Sequence, residues 1–572
     1  LSYVDAWFDR ENDMIKIVER SKEGKREFRD IPVKYTFYHS DARGKFQSIY
    51  GDPLSRIVCR NSKDFRKEMA IHSNKKLYEA DINPIFACLS EHYLNQDSPN
   101  LHVAFWDIEV DFDPERGYAS PDDAFMPITA IAVHLQWLDT LVCLAVPPKG
   151  MSIAQAEEQV KDFPNTHIFD NEADMLDTFL NLIQDADVLS GWNSEGFDMP
   201  YTVNRITKVL SKEDTRRMCL FNQFPKKREY EKYGKDAVTY DLVGRVHLDS
   251  LELYRKYTYE ERHTYRLDAI GEMEIGENKT VYEGTLDQLY NNDFRKFVEY
   301  NRQDCALLDK LDKKLKFLDL ANKLAHENTV LLQTTMGAVA VTEQAIINEA
   351  HRRGFQVPNR PKMDDREDTA AAGAYVAYPK EGLQDWIGSL DINSLYPSAI
   401  RALNMGPETI VGQLRPTYTK EYLDEQMTLK KKSFAAAWEG MFGSIEYEAV
   451  IKQDKAIDIT IDWESGESDV LSGAEIYKLI FESNQPWMIS ANGTIFTYEK
   501  EGIIPGLLKR WYAERKELQA KLKDCIKAGN KVEEEYWDKR QLVKKINLNS
   551  LYGAILNPGC RFFDKRIGQS TT

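Results

Sequence analysis

Five carboxylates and one phenol carry the chemistry most worth reading in this chain. Asp107 and Glu109 lie in Leu101–Val110, LHVAFWDIEV, an apolar run of the kind that forms a buried strand. Residues two apart on a strand share a face, so both acids project from the same side. Two such acids are costly to bury unless they are paired or bind metal; the alternative is a strand end in water. Asp198 follows Gly191-Trp192-Asn193-Ser194-Glu195-Gly196-Phe197, where a helix can begin, and by itself it reads as an N-cap for Met199–Ile206. Tyr300 and Asp304 stand four apart and share one helix face. Each signal is weak alone. Brought to one pocket, four carboxylates can hold two divalent ions roughly 4 Å apart, the arrangement that activates water and stabilises a leaving oxygen at phosphorus. Oxygen-only ligation favours Mg²⁺ or Mn²⁺ over zinc.

The fifth acid, Asp391, opens Asp391-Ile392-Asn393-Ser394-Leu395-Tyr396-Pro397-Ser398. It is expected to close an apolar strand, Gln384–Leu390, with the N–H groups of Ser394 and Leu395 turned toward phosphate oxygens. Further on, Lys545, Asn549 and Tyr552 in KKINLNSLYG follow a spacing that puts them on one helix face. Residues 501–552 hold twelve Lys or Arg against eight Asp or Glu, a net positive stretch in a chain of net charge −17.

These residues need elements to position them. Strand-like runs at 127–148 and Asp187–Gly191, with helical spacing at Ala173–Asp185, indicate an α/β domain over 101–315. Lys226–Tyr240, centred on Tyr233-Gly234-Lys235-Asp236, reads as a charged hairpin inserted in it. Residues 316–355 have a helical pattern, and Ala370–Ala374 reads as a small-residue entry to the next domain. Residues 443–485 are acidic and mixed in pattern. Ile503–Asn549 reads as two long helices broken at Ala528-Gly529-Asn530, with Pro505 in the first turn. Length suggests three or four domains. The seven scattered cysteines form no C-x-x-C pair, which argues against a zinc ribbon or a disulfide framework. No apolar run of eighteen residues and no secretory signal is visible. The acidic balance is unusual for a nucleic-acid-binding chain, but carboxylates that hold metals can coexist with a local basic groove.

FWDIEVD, GWNSEGFD and YNRQD resemble the three exonuclease motifs of family B DNA polymerases. DINSLYPS and KKINLNSLYG resemble that family's palm and fingers motifs. The opening IYGDPLSRIVCRNSKDF, HLDSLELYRKY, and GAYV through RALNMGPETIVG look like replicative polymerases of T-even-like bacteriophages. The resemblance implies α/β and α+β domains: an RNase H-like 3′→5′ exonuclease, a partial palm and helical-hairpin fingers. Asp107 would then bridge two metals. Glu109 and Asp304 would hold the ion carrying the attacking water, Asp198 the other, and Tyr300 would orient the water. Asp391 and Ile392 would hold the polymerase metals. Ser394, Leu395, Tyr396, Arg515, Lys545, Asn549 and Tyr552 would bind the incoming nucleotide, with Tyr396 excluding a 2′-hydroxyl and Gly553 packing beside Tyr552 at the nascent base pair.

The implied domains are 1–100 (with 316–365 packing back on it), 101–315 exonuclease, 366–500 palm with an insertion near 443–485, 501–552 fingers, and 553–572 the start of a second palm part. The family's Y-G-D-T-D-S motif is not found, and Tyr50-Gly51-Asp52 is read as a decoy. The expectation is an N-terminal portion, without the rest of the palm or the thumb, that cannot polymerise alone. Implied cofactors are two Mg²⁺ or Mn²⁺ per site. Implied partners are primer–template DNA, single-stranded 3′ ends, deoxynucleoside triphosphates, a separate palm–thumb chain and a sliding clamp, in the cytoplasm of an infected bacterium. Two other readings stand: a free-standing exonuclease, for which the palm and fingers motifs have no use, and a non-catalytic nucleic-acid-binding protein, whose carboxylates would be lost.

Overall fold

A computed structural model describes all residues except 233, 259, 363–376, 378, 439, 440 and 442. The small-residue stretch Ala370–Ala374, the GAYV segment and Tyr233 of the hairpin therefore lie outside the described residues. Contacts divide the chain into two compact units, Leu1–Val33 with Asn83–Met336 and Lys34–Ile82 with Gly337–Thr572. This division cuts across residues 1–100, read above as one domain. The cause is strand pairing. Ser2–Asp9, Met14–Arg20 and Arg26–Pro32 form an antiparallel meander that buries Tyr3, Ile15 and Ile17 against Leu89, Tyr93 and Leu331. Tyr35–Ser40 instead pairs with Pro53–Cys59, in a sheet that ends on Phe355–Gln356.

The first unit is organised by a six-stranded sheet. Its strands are β1 (Val103–Val110), β2 (Ile128–Leu135), β3 (Thr140–Ala145), β4 (Thr166–Ile168), β5 (Val188–Ser190) and β6 (Val246–His247), in the order β4-β3-β2-β1-β5-β6. β2 is antiparallel to both β1 and β3, whereas β5 runs parallel to β1. All eight residues of β2 are buried, as expected for a strand covered on both faces. One face carries Trp106, Ile108 and Ile131 and packs on Glu172–Leu182 and on α1 (Asp198–Val209). The other carries Ala130, Cys143 and Ala145 and packs on Phe294, Phe297 and Val298 of α2 (Phe294–Leu315). Asp107 and Glu109 have the parity of this second face, pairing with Ala132 and Ala130. The hairpin is present, as Lys226–Lys232 paired with Lys235–Asp241.

In the second unit, Ile410–Leu414 is the centre of a five-stranded sheet ordered Ser468–Ser472, Asp458–Trp463, Ile410–Leu414, Thr494–Thr497, Trp487–Ile489. The acidic stretch 443–485 thus supplies two strands and the helix Ile445–Ile451, closing a core of Leu414, Val450, Ile459, Ile461 and Ile476. α3 (Leu395–Ala402) follows Ser394. The helical pair is α4 (Ile503–Ala528) and α5 (Lys531–Ile555). Gly529 ends α4 in the left-handed conformation at φ 70°, and Asn530 caps α5 by accepting from the Glu533 N–H. The strand expected over Gln384–Leu390 is not formed. A strand needs a ladder partner for its N–H and C=O groups, and among the described residues none lies alongside it. Leu383, Trp386 and Leu390 are fully exposed instead.

In the first unit Arg20 and Asp187 form a fully buried pair, with Nε–Oδ2 at 2.9 Å and Nη2–Oδ1 at 2.5 Å. Asp187 also accepts the His102 N–H at 2.9 Å. Stripping one partner from a buried pair leaves an uncompensated charge, which costs about 3–5 kcal/mol. Asp187→Ala is expected to lower unfolding free energy by about that amount, read from the urea midpoint at unchanged slope.

Candidate active site

The strongest candidate centre lies where β1 meets α2. The register of β1 against β2 shifts between Glu109 and Val110, a bulge that re-aims side chains at the strand end. Asp107, Glu109 and Asp304 each bring an oxygen within 4.8 Å of the others. Glu109 and Asp304 are buried and Asp107 is partly so. Burial, and then the charge of Asp107, push the Asp304 carboxyl up to about 7 and hold Glu109 well above the usual carboxylate range. Burial raises Asp107 as well, although the Lys279 ammonium opposes the shift.

Asp198 is not the N-cap suggested by the sequence. It is the first residue of α1, Phe197 takes the cap position, and no side chain caps the helix. Its Oδ1 accepts the Ile108 N–H at 3.1 Å, so the carboxylate is bound to β1 between the two acids of that strand. Burial raises its pKa well above normal and the Asp107 charge adds to this. The loop before it is tightly constrained. A Cβ at Gly191 would meet the Trp106 carbonyl oxygen at 2.9 Å, and Asn193 adopts φ 58°. Asp249 pins the loop by accepting from the N–H groups of Asn193 at 2.9 Å and Glu195 at 3.1 Å.

Three participants were not assigned from sequence. Lys279 places Nζ 2.5 Å from Asp304 Oδ2 and 3.3 Å from the Tyr300 hydroxyl. Burial alone would lower its pKa, but the charges of Asp304 and Asp107 outweigh that and raise it. Asn301, fully buried, donates from Nδ2 to the backbone oxygen of Asp107 at 3.2 Å and to Oδ2 at 3.1 Å. Asp249 is the third. Asn301 could have been suspected, because it precedes Asp304 by three and so shares its helix face. Lys279 sits in a loop with no local motif, and nothing in the sequence signals its reach to α2.

The trio suits a hard divalent cation. All its donors are oxygens, and Asp304 Oδ1 is buried without a hydrogen-bond partner. A divalent ion here would meet Asp107, Glu109 and Asp304, with Asp198 beside Asp107.

The second constellation is looser. Ser394 takes the left-handed conformation at φ 54° and precedes α3, while Asp391, Ile392 and Leu395 are exposed. Tyr396 stacks on Tyr552 of α5, centroids 4.3 Å apart and planes at 19°. Arg515 on α4 lies 3.4 Å from Gln541 on α5, and Lys544 pairs with Glu514 at 2.5 Å, so the two helices are cross-linked near Lys545. Asn549 is exposed. The start of α4 is held by Glu408, which accepts the Ile503 N–H at 2.7 Å, and by Asn404, which accepts from Gly502 at 2.8 Å. Asp391 joins no metal-capable cluster among the described residues. Asp52 of the decoy motif accepts from the Tyr78 hydroxyl at 2.7 Å in a turn.

DNA polymerase family B, exonuclease domain, matches residues 61–270, and DNA polymerase family B matches residues 329–572. The chain belongs to DNA polymerase family B. Among its relatives, the DNA-directed DNA polymerase of Enterobacteria phage T4 is 25% identical over 97% of this chain. That of Escherichia phage RB69 is 26% identical over 99%. A DNA polymerase of Pyrococcus glycovorans is 25% identical over 72% of the chain and 44% of its own length. The chain spans 63% and 64% of the length of the two phage relatives. Among the described residues, no helix of this family B chain is long and apolar enough to cross a membrane.

Crowded acids repel until a cation neutralises them, so ion binding stabilises the folded state by RT ln(1 + [L]/Kd), about 2.7 kcal/mol at a hundredfold excess over Kd. Mn²⁺ is expected to raise the melting temperature by several degrees, and Asp107→Ala/Glu109→Ala to remove most of that rise. Differential scanning fluorimetry with and without chelator checks it.

Proposed function

We propose that this chain carries a two-metal 3′→5′ exonuclease together with the nucleotide-binding part of a DNA polymerase that acts in viral replication. The observation that carries the reading is the convergence of Asp107, Glu109 and Asp304, with Asp198 bound to the same strand, in a domain whose sheet order β4-β3-β2-β1-β5-β6 fits an RNase H-like fold. Two Mg²⁺ or Mn²⁺ ions, when bound, would supply water activation and stabilisation of the leaving oxygen at phosphorus.

The chain's own residues have definite tasks in this reading. Asp107, Glu109, Asp198 and Asp304 would hold the ions, and Asn301 keeps the Asp107 carboxylate oriented through its two contacts on that residue. Tyr300 shares a helix face with Asp304, and its hydroxyl would orient the attacking water. Lys279 offers a cation 3.3 Å from that hydroxyl and can neutralise negative charge developing on a phosphate. Asp249 acts through the Asn193–Glu195 loop and is a positioning residue.

For the polymerase part, the domains proposed are the palm over 366–500, elaborated by 443–485, and the fingers over 501–552, with 553–572 returning to the palm. Asp391 and Ile392 would meet the metals. Ser394, Leu395, Arg515, Lys545 and Asn549 would hold the triphosphate, and Tyr396 on Tyr552 would form the wall against sugar and base. Substrates would be single-stranded or frayed DNA 3′ ends and deoxynucleoside triphosphates, in an infected bacterial host.

The test is Mg²⁺-dependent digestion of a 5′-labelled single-stranded oligonucleotide. Stepwise shortening from the 3′ end is expected, abolished in Asp107→Ala/Glu109→Ala. Lys279→Ala is expected to lower kcat on the order of a hundredfold with little change in KM, by analogy with removal of a charge-stabilising donor. No shortening by a folded, metal-saturated chain would leave the non-catalytic DNA-binding reading. Separately, Lys545→Ala is expected to weaken deoxynucleoside triphosphate binding on the order of tenfold, the loss of one charge-assisted phosphate contact. Fluorescence titration checks this, and unchanged affinity would remove Lys545 from the nucleotide site.

A further inference from the structure

A second group of metal-capable side chains lies on the same face of the sheet as the candidate active site, but at the other end of β1 and β2. His134 pairs with Phe105, whereas Ala130 pairs with Glu109. Along β2, His134 stands four residues from Ala130, opposite Glu109, and two from Ala132, opposite Asp107, about 13 Å and ~7 Å at a rise of ~3.3 Å per residue. His134, Asp139 and Asp309 each bring a ligand atom within 4.8 Å of the others. Asp139 sits in the turn between β2 and β3 at φ 46°, and Asp309 is on α2.

Four observations set this group apart from an ordinary surface ion pair. His134 is only 6% exposed, and its Nδ1 is buried with no hydrogen-bond partner. That nitrogen nevertheless faces Asp309 Oδ1 at 3.4 Å. A tetrahedral ion with bonds of about 2.0–2.2 Å separates its ligands by roughly 3.3–3.5 Å. The fourth observation is the present occupant. Lys313 Nζ lies 2.8 Å from Asp309 Oδ2 and 3.0 Å from Asp139 Oδ1, so the pocket already attracts a cation. The lysine side chain is 52% exposed and can swing into water. Gln136 completes the surroundings, donating to Asp309 at 3.2 Å and to Asp312 at 2.9 Å, and so orients the carboxylate as an outer partner does.

We propose that His134, Asp139 and Asp309 form a second, non-catalytic metal site that takes a borderline transition-metal ion such as Zn²⁺. One imidazole nitrogen with two carboxylates selects such an ion over Mg²⁺ or Ca²⁺. The bound ion displaces the Lys313 ammonium and ties α2 to the turn after β2. Because α2 carries Tyr300, Asn301 and Asp304, the ion braces the helix that supplies half of the proposed exonuclease centre.

The experiment is a Co²⁺ titration of the full chain in excess Mg²⁺, followed by visible d–d absorption. One tightly bound equivalent is expected, unchanged in Asp107→Ala/Glu109→Ala. Asp139→Asn and His134→Gln are expected to weaken it on the order of tenfold or more, since even outer-sphere losses cost 10–100-fold. Lys313→Ala is expected to tighten binding, because it removes the competing ammonium; a purely structural ion pair would show no such gain. Should His134→Gln fail to fold, Asp139→Asn and Lys313→Ala decide, since both residues have exposed side chains. The proposal is overturned if the Co²⁺ signal depends on Asp107 and Glu109, or if Asp139→Asn and Lys313→Ala leave affinity unchanged.

Discussion

The first unit depends on one electrostatic constraint: carboxylates crowded into a place that water cannot fully reach. Desolvation opposes the charged form of Asp107, Glu109, Asp198 and Asp304, and mutual repulsion compounds it for Glu109, Asp198 and Asp304. Such a cluster persists only if something cationic stands close by. Lys279 meets that need from outside the strands and helices that carry the acids, with its ammonium on Asp304. The surrounding structure is arranged around this balance. The bulge at Glu109, the pinned Gly191–Asp198 loop and the buried Asn301 each fix one carboxylate against its tendency to move away from the others.

The sheet makes the crowding possible. β1 and β2 share one hydrophobic core, and β2 sets Ala130 in a second on the opposite face, so their backbone is held by ladder bonds and packing. A strand so firmly set can present two acids at its end without reorganising, which is how a rigid scaffold lowers the cost of an ion site. The same rigidity holds His134 at the opposite end of β2 in its buried place opposite α2.

The second unit solves a different problem, how to hold a long helical pair by its base. Glu408 and Asn404 take up the N–H groups at the start of α4, which would otherwise go unsatisfied. The Tyr396–Tyr552 stack joins α3 to the root of α5. The buried face of this base includes Ile400, Leu507, Trp511, Leu548 and Leu551. Toward the tip the helices are charged and exposed, and Gly529, left-handed at φ 70°, reverses the chain between them.

Local sequence determined the elements and named most of the chemistry. Apolar runs located β1, β2 and β3, because a strand buried on both faces leaves a nearly uninterrupted hydrophobic record. Glycine and asparagine at 529 and 530 marked the break between α4 and α5, because cap geometry is written within a few residues. Motif resemblance brought Asp107, Glu109, Asp198, Tyr300 and Asp304 onto one list. Other features were decided by tertiary structure alone. Asp198 turned from helix cap to strand-bound carboxylate because the Ile108 N–H, ninety residues away in sequence, competes for it. Lys279 and Asp249 entered the site through contacts that no local pattern encodes. Gln384–Leu390 had the apolar content of a strand but found no ladder partner among the described residues. Periodicity records which face of an element is dry; which charge meets which depends on long-range packing, and only the folded chain contains that information.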